Sequence, residues 1–192
     1  MIGLLTLITQ TVSQISEEEI GKFVEKIMEH RQNKILVMGA GRSGMVGRAF
    51  ALRLLHLGYQ VYILGDTLVP SIGLRDLVIA ISGSGATKLV VTAAEAAKAV
   101  GAEIAAVTSF PDSPLAKLAD LKVIIKGRVM SEKERREDYF ARQILGLHEP
   151  LAPLGTLFED SCMVFFDAVV AVLLEKHKLS EEEMKKKHAN IE

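Results

Sequence analysis

The chain has 192 residues, 49% of them hydrophobic, which is enough to form one domain with a sizeable core, spanning residues 1–192. A formal net charge of −1 gives no electrostatic footprint for nucleic acid or an anionic membrane, and the apolar start has no basic leader and is shorter than the ~20 residues that span a bilayer. Cys162 is the only cysteine, so no internal disulfide can form, and we expect a cytoplasmic protein.

Helical and strand patterns alternate along the chain. In order, the sequence predicts a short apolar helix within 1–10, a helix over 16–31, a strand over 34–39, a helix over 43–57, strands over 60–64 and 76–82, a helix over 86–101, a strand over 103–109, a helix over 113–120, a strand over 121–126, a charged connection over 127–143, a helix over 154–177 and a last short helix from 180.

The five predicted strands are continuous apolar runs and do not alternate with polar residues. Such strands are buried on both faces, and their alternation with helices predicts a parallel sheet. The expected fold class is therefore α/β, a three-layer sandwich with a five-stranded parallel sheet between helices.

The first strand ends in GAGRSG, residues 39–44, which matches the G-x-G-x-x-G pattern of dinucleotide-binding turns. Asp66 follows the next strand, where such proteins carry an acid that binds a ribose. A nicotinamide dehydrogenase is therefore one reading, although a single match of this kind is weak evidence.

A second small-residue turn follows the strand over 76–82. Its hydroxyl side chains are Ser82, Ser84 and Thr87, interleaved with Gly83 and Gly85. Hydroxyls, close backbone amides and a helix start together suit a phosphate group, which favours a phosphate site over simple capping of the next helix. The two turns are expected side by side at the carboxyl ends of adjacent strands.

Glu159 is the candidate proton carrier. On a helix it has Cys162, Met163 and Phe166 as neighbours, and an apolar setting raises a carboxyl pKa towards neutrality. The alternative is that Glu159 and Asp160 simply favour the positive end of their helix. No zinc-ligand spacing is present, and we expect no metal.

The histidines carry little information individually. His30 and His56 end predicted helices, which favours positions at the surface. His188 lies in the tail KKKHANIE, where chain ends usually fray.

Taken together, GAGRSG, SGSGAT, AVTS and LHEPLAPLGTLFEDS resemble the sugar isomerase (SIS) domain family over nearly the whole chain. Within that family, HEPLAPLGTLFE and the terminal HANIE are similar to the 6-phospho-3-hexuloisomerase group, which acts in the ribulose monophosphate pathway. The resemblance implies one SIS domain with flavodoxin-like strand order, a sugar-phosphate substrate, no cofactor and a homotetramer. It implies an isomerase that interconverts D-arabino-hex-3-ulose 6-phosphate and fructose 6-phosphate through an enediolate.

The same resemblance implies roles for individual residues. Glu159 matches the catalytic base, and His188 lies in a tail motif whose histidine is implicated in sister enzymes, where a neighbouring subunit can supply it. The residues implied to bind substrate are Gly41, Arg42, Ser43, Ser82, Gly83, Ser84 and Thr87. Two alternatives stay open: an isomerase of arabinose 5-phosphate type, and a module that only binds a sugar phosphate.

Overall fold

The computed structural model of the protein describes residues 2–127 and 155–188. Most of the predicted connection over 127–143 lies outside the described residues. The elements are α1 (Ile2–Val12), α2 (Glu17–Glu29), β1 (Lys34–Gly39), α3 (Gly41–His56), β2 (Gln60–Ile63), β3 (Leu77–Ile81), α4 (Lys88–Ala99), β4 (Glu103–Thr108), α5 (Pro114–Leu118), β5 (Leu121–Ile124), α6 (Thr156–Lys176) and α7 (Glu181–Lys185). None of these helices is long and apolar enough to cross a membrane.

The five strands form one parallel sheet in the order β2-β1-β3-β4-β5. Every residue of the central strand β3 is buried, as its uninterrupted apolar sequence predicts. The predicted parallel sheet and its flavodoxin-like order are confirmed. Because the sheet is parallel, the carboxyl ends of β1, β3 and β4 lie at the same edge. The turns that follow these three strands therefore lie close together.

Helices cover both faces of the sheet. Apolar residues of α2, α3 and α6 form one buried cluster with one face, and residues of α4 and α5 form a second cluster with the other face. The first cluster contains Phe23, Phe50, Phe165 and Phe166, with the rings of Phe50 and Phe166 stacked at a centroid distance of 4.2 Å. This aromatic contact fixes α6 against α3, and both helices begin at the edge where the two turns lie.

The start of α2 has the sequence pattern of a capping box, Ser16 followed by Glu19, but forms only one half of it. The Ser16 side chain accepts a hydrogen bond from the Glu19 amide at 3.4 Å, as expected. The Glu19 carboxylate, however, accepts a hydrogen bond from the amide of Ile124 at 2.9 Å. Glu19 therefore satisfies a donor on the edge strand β5, a tertiary contact that the local spacing could not reveal. At α7, both halves of a Ser180–Glu183 capping box are present.

The prediction that His30 and His56 lie at the surface is wrong, since each is only 4% exposed. His30 ends α2, and its Nδ1 lies 2.8 Å from the carbonyl oxygen of Lys26. His56 ends α3 and packs against the ring of His188, with a centroid distance of 5.0 Å. Both rings are buried at the ends of their helices, where a helical sequence pattern alone does not indicate burial.

Candidate active site

The two glycine-rich turns follow β1 and β3, which are neighbours in the sheet, so the turns lie beside each other. Gly41 has φ +56° and Gly85 has φ +61°, a backbone region that favours glycine. Gly39 and Gly44 also approach so closely that a Cβ on Gly39 would lie 2.9 Å from the Gly44 amide nitrogen. The glycines of GAGRSG are thus required by the tight passage from β1 into α3, whatever the turn binds.

The turn over 82–87 is held by its own hydroxyl groups. Ser82 is 3% exposed, and its Oγ lies 3.0 Å from Thr87 Oγ1 and accepts a hydrogen bond from the Gly85 amide at 3.1 Å. Ser84 Oγ accepts from the Ala86 amide at 3.2 Å. Thr87 is the N-cap residue of α4, yet its side chain makes no capping hydrogen bond. The first amides of α4 are therefore not capped by this side chain, which disfavours the simple capping interpretation and suits an anion.

The 82–87 turn also contacts the beginning of α6. A Cβ placed on Gly83 would lie 3.0 Å from Cδ1 of Phe158, so only a residue without a side chain lets the Phe158 ring pack here. Phe158 directly precedes Glu159, which is 8% exposed. The contact brings the candidate phosphate turn and the candidate proton carrier together within one chain.

Arg42 connects α3 to the first turns of α6 through all three guanidinium nitrogens. Its Nε lies 3.0 Å from Glu159 Oε2, its Nη1 donates to Thr156 Oγ1 at 3.1 Å, and its Nη2 donates to Asp160 Oδ1 at 3.3 Å. The Arg42 side chain is about half exposed, whereas the Glu159 carboxyl is nearly enclosed. The candidate site is thus a buried carboxylate with an arginine between it and solvent.

Burial raises the pKa of Glu159, and the Arg42 guanidinium lowers that pKa in part. The Asp160 carboxylate adds to the rise through like-charge repulsion. Burial also raises the pKa of the Cys162 thiol well above its usual range, so this residue is a neutral part of the core. A carboxyl group whose pKa is shifted upward in this way is suited to accept and return a proton near neutral pH.

The remaining predicted residues are placed as follows. Ser43 is buried in the first turn of α3, next to Arg42. Asp66, the candidate ribose-binding acid, is paired with Arg48, whose Nη2 lies 2.7 Å from Asp66 Oδ1. The ion pair with Arg48 gives Asp66 a structural partner, so its presence does not require a bound dinucleotide. Among residues 2–127 and 155–188, no group of three or more histidine, cysteine or acidic side chains could hold a metal ion.

Within one chain, His188 lies far from Glu159. It packs against His56 at the carboxyl end of α3, whereas Arg42 and Glu159 lie at the amino end of that helix. The fourteen-residue separation from Arg42 to His56 corresponds to about 20 Å along the helix axis. His188 instead lines a separate cavity of about 400 Å³ together with Arg53, His56 and Asp167.

Sequence reasoning missed the contacts of Thr156 and Asp160 with Arg42. The two residues are four positions apart and lie on the same helix face as Glu159, a spacing that could have indicated a shared partner. The identity of that partner depends on the packing of α3 on α6, which no local pattern contains.

Comparison with known proteins identifies the family of the chain. The SIS domain model matches residues 30–131, which include both turns. The chain belongs to the SIS domain family. A 3-hexulose-6-phosphate isomerase from Bacillus subtilis is 36% identical to this SIS protein over 98% of the chain and 95% of the relative. A 3-hexulose-6-phosphate isomerase from Methanocaldococcus jannaschii is 33% identical over 91% of the chain and 85% of the relative.

Solved structures show the same SIS architecture. The crystal structure of a hypothetical protein from Methanococcus jannaschii, for which a function of 3-hexulose-6-phosphate isomerase is inferred, has a TM-score of 0.78 and 30% identity, with 98% of each chain covered. The crystal structure of another hypothetical protein has a TM-score of 0.83 at 38% identity, with 99% of this chain and 96% of that chain covered. The phosphosugar isomerase class of the prediction is therefore supported by several relatives.

Proposed function

We propose that this SIS protein interconverts D-arabino-hex-3-ulose 6-phosphate and fructose 6-phosphate. The observation that carries the proposal is the contact between the turn over 82–87 and the helix segment that bears Glu159, through Gly83 and Phe158. A phosphate held by the turn would fix one end of a sugar at a constant distance from a buried carboxyl group. The names of several relatives, from 33% to 38% identical, support the choice of sugar.

The phosphate is proposed to bind at the amino end of α4. The amides of the turn and the helix dipole attract a dianion, and the hydroxyls of Ser82, Ser84 and Thr87 add donors at short reach. Gly83 has no side chain, which leaves room for the Phe158 ring beside the turn. Gly41, Arg42 and Ser43, on the neighbouring turn, would face the rest of the sugar.

The proposed reaction moves the carbonyl group from C3 to C2. Glu159 removes the proton from C2, and the electron pair of that C–H bond forms the C2–C3 double bond as the C3 oxygen becomes an enediolate oxygen. The proton of the C2 hydroxyl group passes to the C3 oxygen, which becomes the product hydroxyl, and the negative charge moves to the C2 oxygen. As the C2 carbonyl forms, the electron pair of the C2–C3 double bond takes a proton from Glu159 at C3. The developing negative charge requires donors, which Ser43, the nearby amides and Arg42 can supply. Anchoring the phosphate lowers the entropic cost of aligning C2 with the carboxylate.

The two directions of the reaction differ in their need for ring opening. The C6 oxygen of the hexulose phosphate is esterified, so the C3 ketone cannot close a five-membered ring and this substrate enters open-chain. Fructose 6-phosphate closes through its C5 hydroxyl and must be opened first. We assign ring opening to His188 and propose that a partner copy supplies it, since His188 lies at the far end of α3 from Glu159 in its own chain.

This assignment of His188 requires an oligomer, and we propose a homotetramer of single-domain chains. The proposed setting is the cytoplasm, and the proposed metabolic place is the ribulose monophosphate pathway. No metal or organic cofactor enters the proposed steps.

The decisive assay couples product formation to detection of fructose 6-phosphate. The parent protein should form fructose 6-phosphate from the hexulose phosphate, and Glu159→Gln should bind fructose 6-phosphate without turnover. Arabinose 5-phosphate serves as the competing substrate. Efficient turnover of arabinose 5-phosphate and none of the hexulose phosphate would replace the proposed substrate, and binding without any turnover by the parent would indicate a binding module.

A further inference from the structure

Asp160 is a charged group beside Glu159 that the proposed chemistry leaves without a role. It lies on the exposed side of the first turns of α6, and its Oδ1 accepts from Arg42 Nη2 at 3.3 Å. Because this hydrogen bond joins Asp160 to Arg42, Asp160 can act on the site through Arg42.

Arg42 has two opposing effects on Glu159 as a base. The Arg42 guanidinium, with Nε 3.0 Å from Glu159 Oε2, attracts the carboxylate as an ion pair, although Oε2 accepts no hydrogen bond from the described residues, and its positive charge also weakens the carboxylate as a proton acceptor. A second carboxylate on the same guanidinium reduces this effect while helping to fix the arginine. The Thr156 hydroxyl, 3.1 Å from Nη1, fixes the guanidinium without adding charge.

We propose that Asp160 is a positioning residue that keeps Arg42 against Glu159 and shares the guanidinium charge, so that Glu159 stays a competent base. The proposal rests on the proposed role of Glu159 in proton transfer. It assigns Asp160 to the isomerase machinery although Asp160 touches no reacting atom.

Few other charges surround the Glu159 carboxyl group. Among residues 2–127 and 155–188, the charged or titratable groups that affect it are Arg42 on α3 and Asp160 on its own helix, and Cys162 lies one turn away. The turn over 82–87 presents hydroxyl side chains. Of the other helices packed against α6, α1 carries no titratable side chain, and no charged residue of α2 contributes to the pKa shift of Glu159. A change in the proton affinity of Glu159 on altering Asp160 can therefore be assigned to Asp160, which acts by direct like-charge repulsion and through Arg42.

The main test compares Asp160→Asn with the parent across pH, using whichever sugar phosphate the parent isomerises. We expect kcat to fall about 10-fold with KM little changed, against the ~10²–10⁴-fold loss typical when a general base is removed. The acidic limb of kcat/KM should move to lower pH, because loss of the Asp160 charge stabilises ionised Glu159. Asp160→Glu, which keeps the charge, should restore both. Glu175→Gln, which removes an exposed charge from the far end of α6, should match the parent.

A double-mutant cycle tests whether Asp160 acts through Arg42. In an Arg42→Gln background, Asp160→Asn should have little further effect on kcat. Full additivity of the two changes, an unshifted pH profile, or failure of Asp160→Glu to restore kcat would each overturn the proposal. Asp160→Ser removes the same charge with a smaller side chain, should the amide variant fold poorly.

A carbon-13 NMR titration separates this proposal from the proposed reaction. The side-chain carboxyl signal of Glu159 is assigned by its absence in Glu159→Gln and followed with pH in the parent and in Asp160→Asn. A lower titration midpoint in Asp160→Asn is expected, and an identical midpoint would overturn the role of Asp160. Absence of fructose 6-phosphate formation by the parent would instead refute the proposed reaction and leave this titration valid.

Discussion

Arg42 and Glu159 face each other across the α3–α6 contact, with Arg42 Nε 3.0 Å from Glu159 Oε2. The pair joins the two glycine-rich turns into one site, since Arg42 belongs to the first turn and Phe158, next to Glu159, packs on the second. Aromatic stacking between Phe50 and Phe166 keeps the two helices in this relation.

Glu159→Gln should change the pH dependence of stability. Burial raises the pKa of Glu159 in the folded state, so between the ordinary glutamate pKa and this raised value the folded protein binds more protons than the unfolded chain. The free energy of unfolding of the parent should therefore fall as pH rises through that window, relative to Glu159→Gln. Chemical denaturation at several pH values measures this. A difference between the two proteins that stays constant with pH would contradict the raised pKa.

Gly85→Ala should destabilise the fold and disrupt the phosphate turn. Gly85 has φ +61°, and an added Cβ would overlap Ser113, which caps α5. We expect the free energy of unfolding to fall by about 2 kcal/mol or more. Gly21→Ala is the matched control: it has open space within 4 Å inside α2 and should raise stability by about 0.5–1 kcal/mol. Equal effects of the two substitutions, measured by urea unfolding, would refute the required turn geometry.

Ser82→Ala should weaken substrate binding more than catalysis. Ser82 Oγ organises the turn through Thr87 and Gly85 and is proposed to donate to the phosphate, and loss of a hydrogen bond to such a charged group costs about 1.5–3 kcal/mol. KM should rise about 10- to 100-fold with a smaller change in kcat. Ser13→Ala removes an exposed hydroxyl at the end of α1 and should leave KM unchanged. Initial-rate kinetics decide the matter, and a large fall in kcat at constant KM would argue against phosphate binding here.

Mixed oligomers should show whether a partner copy supplies His188. Glu159→Gln lacks the proposed base and His188→Ala lacks the proposed ring-opening group, so each should be slow from fructose 6-phosphate. Oligomers that combine the two variants contain some sites with both groups intact. Their rate from fructose 6-phosphate should exceed the rate of either variant alone. If mixed oligomers are no faster, His188 does not complete the site of another copy.

The sheet and its order could be predicted because they depend on local signals. Uninterrupted apolar strands, helix caps such as Ser113 with Pro114, and the glycine after α3 are all readable residue by residue. The candidate site could be predicted in part, because turns at the carboxyl ends of neighbouring strands must meet. That geometric rule holds for any sheet with this strand order.

The features of the fold and the candidate site that could not be predicted depend on contacts between elements distant in sequence. Glu19 accepts from Ile124, His56 is buried beside His188, and Asp160 binds Arg42. In each case the residue type allows a local role, such as capping, exposure at a helix end or interaction with the helix dipole. Tertiary packing selects a different role, and the local sequence does not specify it.

The most direct measurement is isomerisation of the hexulose phosphate in deuterium oxide, followed by NMR of the product formed by the parent and by Glu159→Gln. The account predicts that the parent forms fructose 6-phosphate carrying solvent deuterium at C3, because the proton on Glu159 exchanges with solvent, and that Glu159→Gln binds product but neither turns over nor exchanges hydrogen. Formation of fructose 6-phosphate by Glu159→Gln at the parental rate would contradict the central claim that this buried carboxylate transfers the proton.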